Sequence, residues 1–138
     1  MTLVGFHFKK MLTEKKKSIS GKVNAKSNVA ITKIQEAKLN MGSSKQAGAE
    51  FTFKFTIEYE PGIGNTELEG AFVYMADEKK VKAVIARWKK DQKLEADVIQ
   101  EVYNHILNRC NIQALILAKD MQLPAHINLP RVNAESKK

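Results

Sequence analysis

The chain has 138 residues, a formal net charge of +8, 43% apolar residues and one cysteine, Cys110. That length suits a single domain with a sizeable core. No apolar run approaches the roughly 18 residues of a membrane span, the start MTLVGFHFKK has no long apolar signal core, and a lone cysteine excludes an internal disulfide framework. These features predict a cytoplasmic protein without membrane insertion.

The charge is uneven. Residues 1–45 hold ten Lys and two Glu, a net +8, whereas residues 46–138 hold thirteen basic and thirteen acidic residues, a net of zero. A basic segment of this kind suits nucleic acid or acidic partners, with Lys9, Lys10, Lys15, Lys16 and Lys17 as the candidate contacts. Lys dominates over Arg, and no aromatic interrupts 9-KKMLTEKKKSISGK-22. Groove readout favours Arg and single-strand binding needs stacking rings, so a solvated Lys-rich edge is the plainer reading.

Val4, Phe6 and Phe8 alternate with Gly5, His7 and Lys9, which predicts a short first strand. Residues 13–28 are polar and contain Gly21 and Asn24, so they predict a loop; residues 1–28 then form a basic strand-and-loop region. The stretch 29-VAITKIQEAKLN-40 predicts a second strand. Its alternation breaks between Ile31 and Ile34, where Lys33 intrudes, and a bulge there restores the apolar phase. Ile31, Ile34 and Lys38 also fit a helical turn, but the β-branched residues favour a strand. Residues 41-MGSSKQAGAE-50 predict a polar loop.

A hairpin follows. In 51-FTFKFTIEYE-60, Phe51, Phe53, Phe55, Ile57 and Tyr59 share one face, and Thr52, Lys54, Thr56, Glu58 and Glu60 the other. The connection 61-PGIGN-65 contains Pro and two Gly, as hairpin loops do. The next strand is apolar on both faces: Leu68, Gly70, Phe72 and Tyr74 on one, Ala71, Val73 and Met75 on the other. Phe53 can lie beside Phe72 or Tyr74, or it can meet Val73; one residue of slip exchanges the faces. Either register leaves a second, partly apolar face that one long helix does not cover. Such a face calls for a partner subunit or a ligand.

Residues 76–94 are charged, with Val81, Val84, Ile85 and Trp88 at helical spacing on one side. From Glu95 to Met121, Ile99, Val102, Tyr103, Ile106, Cys110, Leu117 and Met121 recur in three- and four-residue steps. Leu107, Ile112, Leu115 and Ile116 lie off that stripe, so the helix is apolar on more than one side. One helix of this length spans roughly 40 Å; a break near Asn111 into two shorter helices is the alternative. In 121-MQLPAHINLPRVNAESKK-138, two Leu-Pro steps predict an extended segment, and residues 133–138 a disordered end.

Few residues point to chemistry. His7, His105 and His126 are far apart and no Cys-x-x-Cys or His-x-x-x-His pair occurs, so no metal or other cofactor is expected. Cys110 reads as a small buried hydrophobe. Gly62-Ile63-Gly64 lacks a following Lys-Ser/Thr and sits between strands, so it is a turn, not a phosphate loop. Glu58, Glu60, Glu67 and Glu69 read as the wet face of the hairpin rather than as paired acid–base groups. Trp88, among Arg87, Lys89 and Lys90, either anchors the edge of the core or contacts peptide. The reading is of a non-enzyme.

The order strand, strand, hairpin, short helix, long helix and Pro-punctuated tail resembles the SecB family of export chaperones. Carrying the resemblance are Gly70-Ala71-Phe72 and 114-ALILAKDMQLPAHINLPRVN-133. Within the latter, Ile127-Asn128-Leu129-Pro130-Arg131-Val132-Asn133 is similar to that family's Leu-Asn-Leu-x-Pro-Val-like segment. The resemblance covers residues 25–133. It implies an α+β subunit with a four-stranded antiparallel sheet and C-terminal helices, one of them long. It also implies a homotetramer built as a dimer of dimers, and ATP-independent holding of unfolded or extended polypeptide in the context of protein export. Groove candidates on that reading are Phe72, Tyr74, Met75, Trp88, Leu123 and Ile127. Family members are typically acidic and use an acidic sheet surface and a C-terminal tail to engage the translocation motor. This chain is basic at its N-terminus and ends Glu135-Ser136-Lys137-Lys138, so the expectation is a SecB-like holdase for other clients or a family relative with a different partner. A nucleic-acid-binding protein using the five lysines is the alternative from another class.

Overall fold

A computed structural model describes residues 2–37 and 46–130. The expected disordered end at 133–138 and the loop expected at 41–45 lie outside the described residues. The elements are β1 (Thr2–Lys15), β2 (Asn24–Ala37), β3 (Gln46–Glu60), β4 (Gly64–Asp77), α1 (Glu78–Asp91) and α2 (Ala96–Met121). The fold is α+β. One antiparallel sheet has the order β1-β4-β3-β2, so the hairpin forms its centre and β1 and β2 its edges.

The hairpin register pairs Phe51 with Phe72, Phe53 with Gly70 and Phe55 with Leu68. Phe53 therefore shares the face of Phe72 and Tyr74, the first of the two expected arrangements. Phe51, Phe53, Phe55, Ile57, Tyr59, Leu68 and Phe72 are all fully buried. The turn is tighter than expected, three residues from Pro61 to Ile63, with Gly62 at φ 61°. The Ile63 N–H donates to the Tyr59 carbonyl at 2.9 Å. Gly70 is required by packing: a Cβ there overlaps the His7 carbonyl oxygen and comes 2.8 Å from Phe53 Cζ. Only glycine lets β1 and the Phe53 ring close over this point.

Both edge strands run further than their side-chain patterns suggest. β1 continues to Lys15 and β2 begins at Asn24, so the expected loop at 13–28 shrinks to residues 16–23. The register of β1 slips twice, between Val4 and His7 and between Phe8 and Lys10. Gly5, at φ 67°, sits in the first slip. The expected alternation therefore fails: Leu3, Phe6 and Phe8 pack on the core, while Val4 is exposed opposite Val73. In β2 the bulge falls where expected, between Ile31 and Lys33, with Thr32 as the extra residue. It lets Ile31, opposite Phe53, and Ile34, opposite Phe51, both be buried. β3 starts at Gln46, earlier than expected, because Ala47, Gly48 and Ala49 pair with Ala76, Met75 and Tyr74. Residues 46–50 are strand, not loop.

α1 opens on Asp77, whose carboxylate accepts the Lys80 N–H at 2.8 Å. Val81 and Val84 are buried and Ile85 and Trp88 pack beside them, the side expected. α2 is one unbroken helix of 26 residues, without a break at Asn111. Its buried stripe is Val98, Val102, Ile106, Cys110, Ala114 and Ala118, in steps of four. Ile99 and Met121, expected on the stripe, are exposed. Ala114 and Ala118 carry the stripe instead, small enough for close approach to the sheet. α1 packs on β3, β4 and β2, and α2 on β1 and β4. Together the two helices roof the aromatic face. An exposed Lys80–Asp97 ion pair of 3.2 Å links them.

Candidate peptide-binding surfaces

The expected groove residues do not come together. Phe72 and Tyr74 lie beneath the helices. The Phe72 ring stacks on Phe51 at 5.5 Å and meets His105 of α2 edge-on at 5.2 Å. Neither residue can receive a ligand in this subunit, because two helices, not one, cover the face. Leu123 is also buried. It closes the end of α2: Gln122 adopts φ 55° and the Leu123 N–H donates to the Ala118 carbonyl at 2.8 Å. This is the hydrophobic closure of a left-handed helix cap. Phe72, Tyr74 and Leu123 are core residues.

The other three candidates occupy separate places. Met75 is half-buried on the opposite sheet face, across from Thr2 and Gly48. Trp88 is half-buried on a groove between α1 and α2, with Gln92, Lys93, Leu94, Ile99 and Tyr103. Ile127 is exposed on the extended segment after α2.

A further groove was not foreseen from the sequence. It runs between β1 and α2, lined by Phe6, His7, Phe8, Arg109, Ile112 and Gln113, with a cavity volume of about 310 Å³. Phe6 stacks on Phe53 at 5.1 Å and meets Phe8 and His105 edge-on at 5.2 and 5.3 Å. The Arg109 guanidinium sits 5.6 Å from the centre of the Phe6 ring. Ile112 is 54% exposed and Ile116, one turn on, 46%. The one signal for this groove was that Ile112 and Ile116 fell off the helix stripe. Their meeting with Phe6 depends on β1 pairing with β4, a contact distant in sequence.

The uncovered sheet face is less apolar than expected. Val4 and Val73 pair there, Met75 lies beside them, and Ala71 is fully buried between His7 and Thr52. Around this small patch run polar pairs: Lys10 with Glu67 at 2.9 Å, and Gln35 Nε2 donating to Glu50 Oε1 at 3.0 Å.

Lys9, Lys10, Lys15, Lys16 and Lys17 are exposed along β1 and the loop after it. Lys10 is committed to Glu67. Their hydrogen bond and ion pairing raise the Lys10 pKa and hold the Glu67 carboxyl below its usual range. The Lys16 and Lys17 N–H groups share the Ile63 carbonyl, at 2.7 and 3.3 Å, which ties the loop to the hairpin turn. Among the described residues, Lys9, Lys15, Lys16 and Lys17 have no salt-bridge partner.

Two histidines are structural. His126 Nε2 and Asn111 Oδ1 are 2.7 Å apart, and the ring stands edge-on to Phe55 at 6.0 Å. Among the described residues, His126 Nδ1 and His105 Nε2 are buried without hydrogen-bond partners. Burial holds both rings below the usual histidine range, and Arg109 adds to the effect at His105. Burial also pushes the Cys110 thiol up to about 12. Among the described residues no three His, Cys, Asp or Glu side chains gather as a metal site, and no helix is long and apolar enough to cross a membrane.

Comparison with protein families, with curated proteins and with solved structures finds no match to this chain.

Proposed function

We propose that this chain is a SecB-like holdase. It assembles in the cytoplasm as a homo-oligomer, a dimer of dimers, and captures unfolded or extended polypeptide without nucleotide. The observation that carries this reading is the apolar surface left open on the helical side. Ile112 and Ile116 on α2, and Ile127 and Leu129 beyond it, are exposed, and grooves open beside Phe6 and Trp88. The element order on which the family resemblance rests supports the same reading. Holding is kinetic: many weak apolar contacts keep client segments apart and slow their aggregation. The free edges of β1 and β2 offer main-chain groups for pairing. Oligomerisation closes part of the open surface, since a stable interface removes at least about 1,000 Å² from water. The basic N-terminal third favours a partner other than one that recognises an acidic sheet.

Sedimentation at micromolar concentration, followed by light scattering of a denatured client, tests the proposal. A tetramer that suppresses aggregation at stoichiometric ratio is expected. A monomer of 15.5 kDa sinks the reading.

Nucleic-acid binding is the second reading, favoured by the four lysines on and after β1 that have no salt-bridge partner among the described residues. It is recognised by affinity that falls steeply with salt as counterions are released, whereas apolar capture persists.

A further inference from the structure

The groove between β1 and α2 combines an aromatic floor with a guanidinium that, among the described residues, has no carboxylate partner. Arg109 lies over Phe6, which accounts for its position. The guanidinium N–H groups of Arg109 make no hydrogen bond among the described residues. Among the described residues no Asp or Glu pairs with Arg109. No Asp or Glu among the described residues lines the groove, and Lys9 follows Phe8 directly. β1 itself carries Lys9, Lys10 and Lys15 against the single Glu14.

The first register slip of β1 contains Phe6 and the second follows Phe8. They break the regular edge at this point, so an occupant docks by its side chains and not by continuing the sheet. A cavity volume of about 310 Å³ suits one or two large side chains. A second copy of this chain is a poor occupant. A two-fold contact through the groove sets one basic surface against the same basic surface.

We infer that this groove binds extended polypeptide in which a carboxylate adjoins a large apolar side chain. The apolar group rests between Phe6, Phe8 and Ile112, and the carboxylate takes the fork of Arg109. The inference rests on the peptide-holding reading and names the client chemistry: acidic and apolar together.

Two probe peptides test it by calorimetric titration, one alternating Glu and Leu over eight residues, the other alternating Lys and Leu. Binding of the Glu peptide about tenfold or more tighter is expected, from a charge-assisted bidentate pair. Arg109→Ala removes that preference and leaves the Lys peptide unchanged; Arg109→Glu reverses it. Arg109 is exposed, so neither change threatens the fold. Ile112→Ser weakens both peptides alike. Equal affinity for the two peptides, or a preference indifferent to Arg109, overturns the inference. So does a change in sedimenting mass in Arg109→Ala, which assigns the groove to a second copy, or loss of oligonucleotide binding in that variant, which assigns it to phosphate. A chain that prefers the Glu peptide through Arg109 yet fails to suppress client aggregation keeps the site and loses the holdase reading. One that suppresses aggregation but binds the two peptides equally loses only the acidic preference.

Discussion

β3 and β1 are strands of nearly equal length, 15 and 14 residues, held in opposite ways. β3 is paired on both sides, and from Phe51 to Tyr59 every second side chain is fully buried. β1 is paired on one side, slips register twice and has no buried residue. The central strand is held by side chains and the edge strand by its main chain. It follows that the side chains of β1 keep part of their surface open for another purpose, and the groove beside Phe6 lies there.

The comparison breaks most sharply at β4. Phe72→Glu places a carboxylate under both helices with no partner, and loss of the cooperative thermal transition is expected. A folded Phe72→Glu protein would mean that the roof opens readily. Next, Phe55→Ala should cost about 3–5 kcal/mol by urea unfolding, the usual range for a buried ring. Phe6→Ala on β1 should cost only about 1–2 kcal/mol, because its ring is already partly wet. Equal costs would erase the distinction between centre and edge.

Gly70→Ala joins the two regions. The added methyl meets the His7 carbonyl and the Phe53 ring, and about 1–3 kcal/mol of destabilisation is expected. Amide exchange in β1 should accelerate before exchange in β3; uniform acceleration would show that β1 does not separate first.

A smaller effect comes from the buried histidines. Well above the ordinary value of 6.5, His105 and His126 are neutral whether folded or not and add no pH dependence. As pH falls through that value the unfolded chain takes up protons that the folded protein refuses, so stability declines until the lowered folded values are reached. The Glu67, Glu78 and Asp97 carboxyls, held low by their lysine partners, titrate only in more acidic solution. Melting temperature should therefore drop between pH 7.5 and 5, and a His105→Asn, His126→Asn double variant should flatten that slope. An unchanged slope in the double variant would assign it elsewhere.

The least effect is expected at Lys15, Lys16 and Lys17. Their joint replacement by Gln should leave stability within about 0.5 kcal/mol, since exposed charges contribute little. If the folded variant loses nucleic-acid binding, the second functional reading gains.

Where burial decides structure, the sequence was legible. The alternation of β3, the bulge between Ile31 and Ile34, and the inner side of α1 all follow from where apolar groups must go. Where main-chain pairing decides, it was not. Thr13, Glu14 and Lys15 look like loop, yet pair with Thr66, Asn65 and Gly64; Ala47, Gly48 and Ala49 carry no strand signal, yet pair with β4. The candidate site fared worse for a related reason. Periodicity shows that Phe72 and Tyr74 share an apolar face but not how many helices will cover it. Leu123 looked available because a helix cap formed by Gln122 leaves little trace in composition.

Cys110 sits at the middle of the α2 stripe, fully buried, its thiol far from ionising. A thiol reagent reaches it only when the helix lifts from the sheet, since reaction requires both access and the thiolate. The rate of labelling is therefore a clock for that opening. The chain has no other cysteine to blur the signal. Comparing the clock with and without the Glu-Leu probe peptide would tell whether a peptide that binds leaves the roof closed or needs it open.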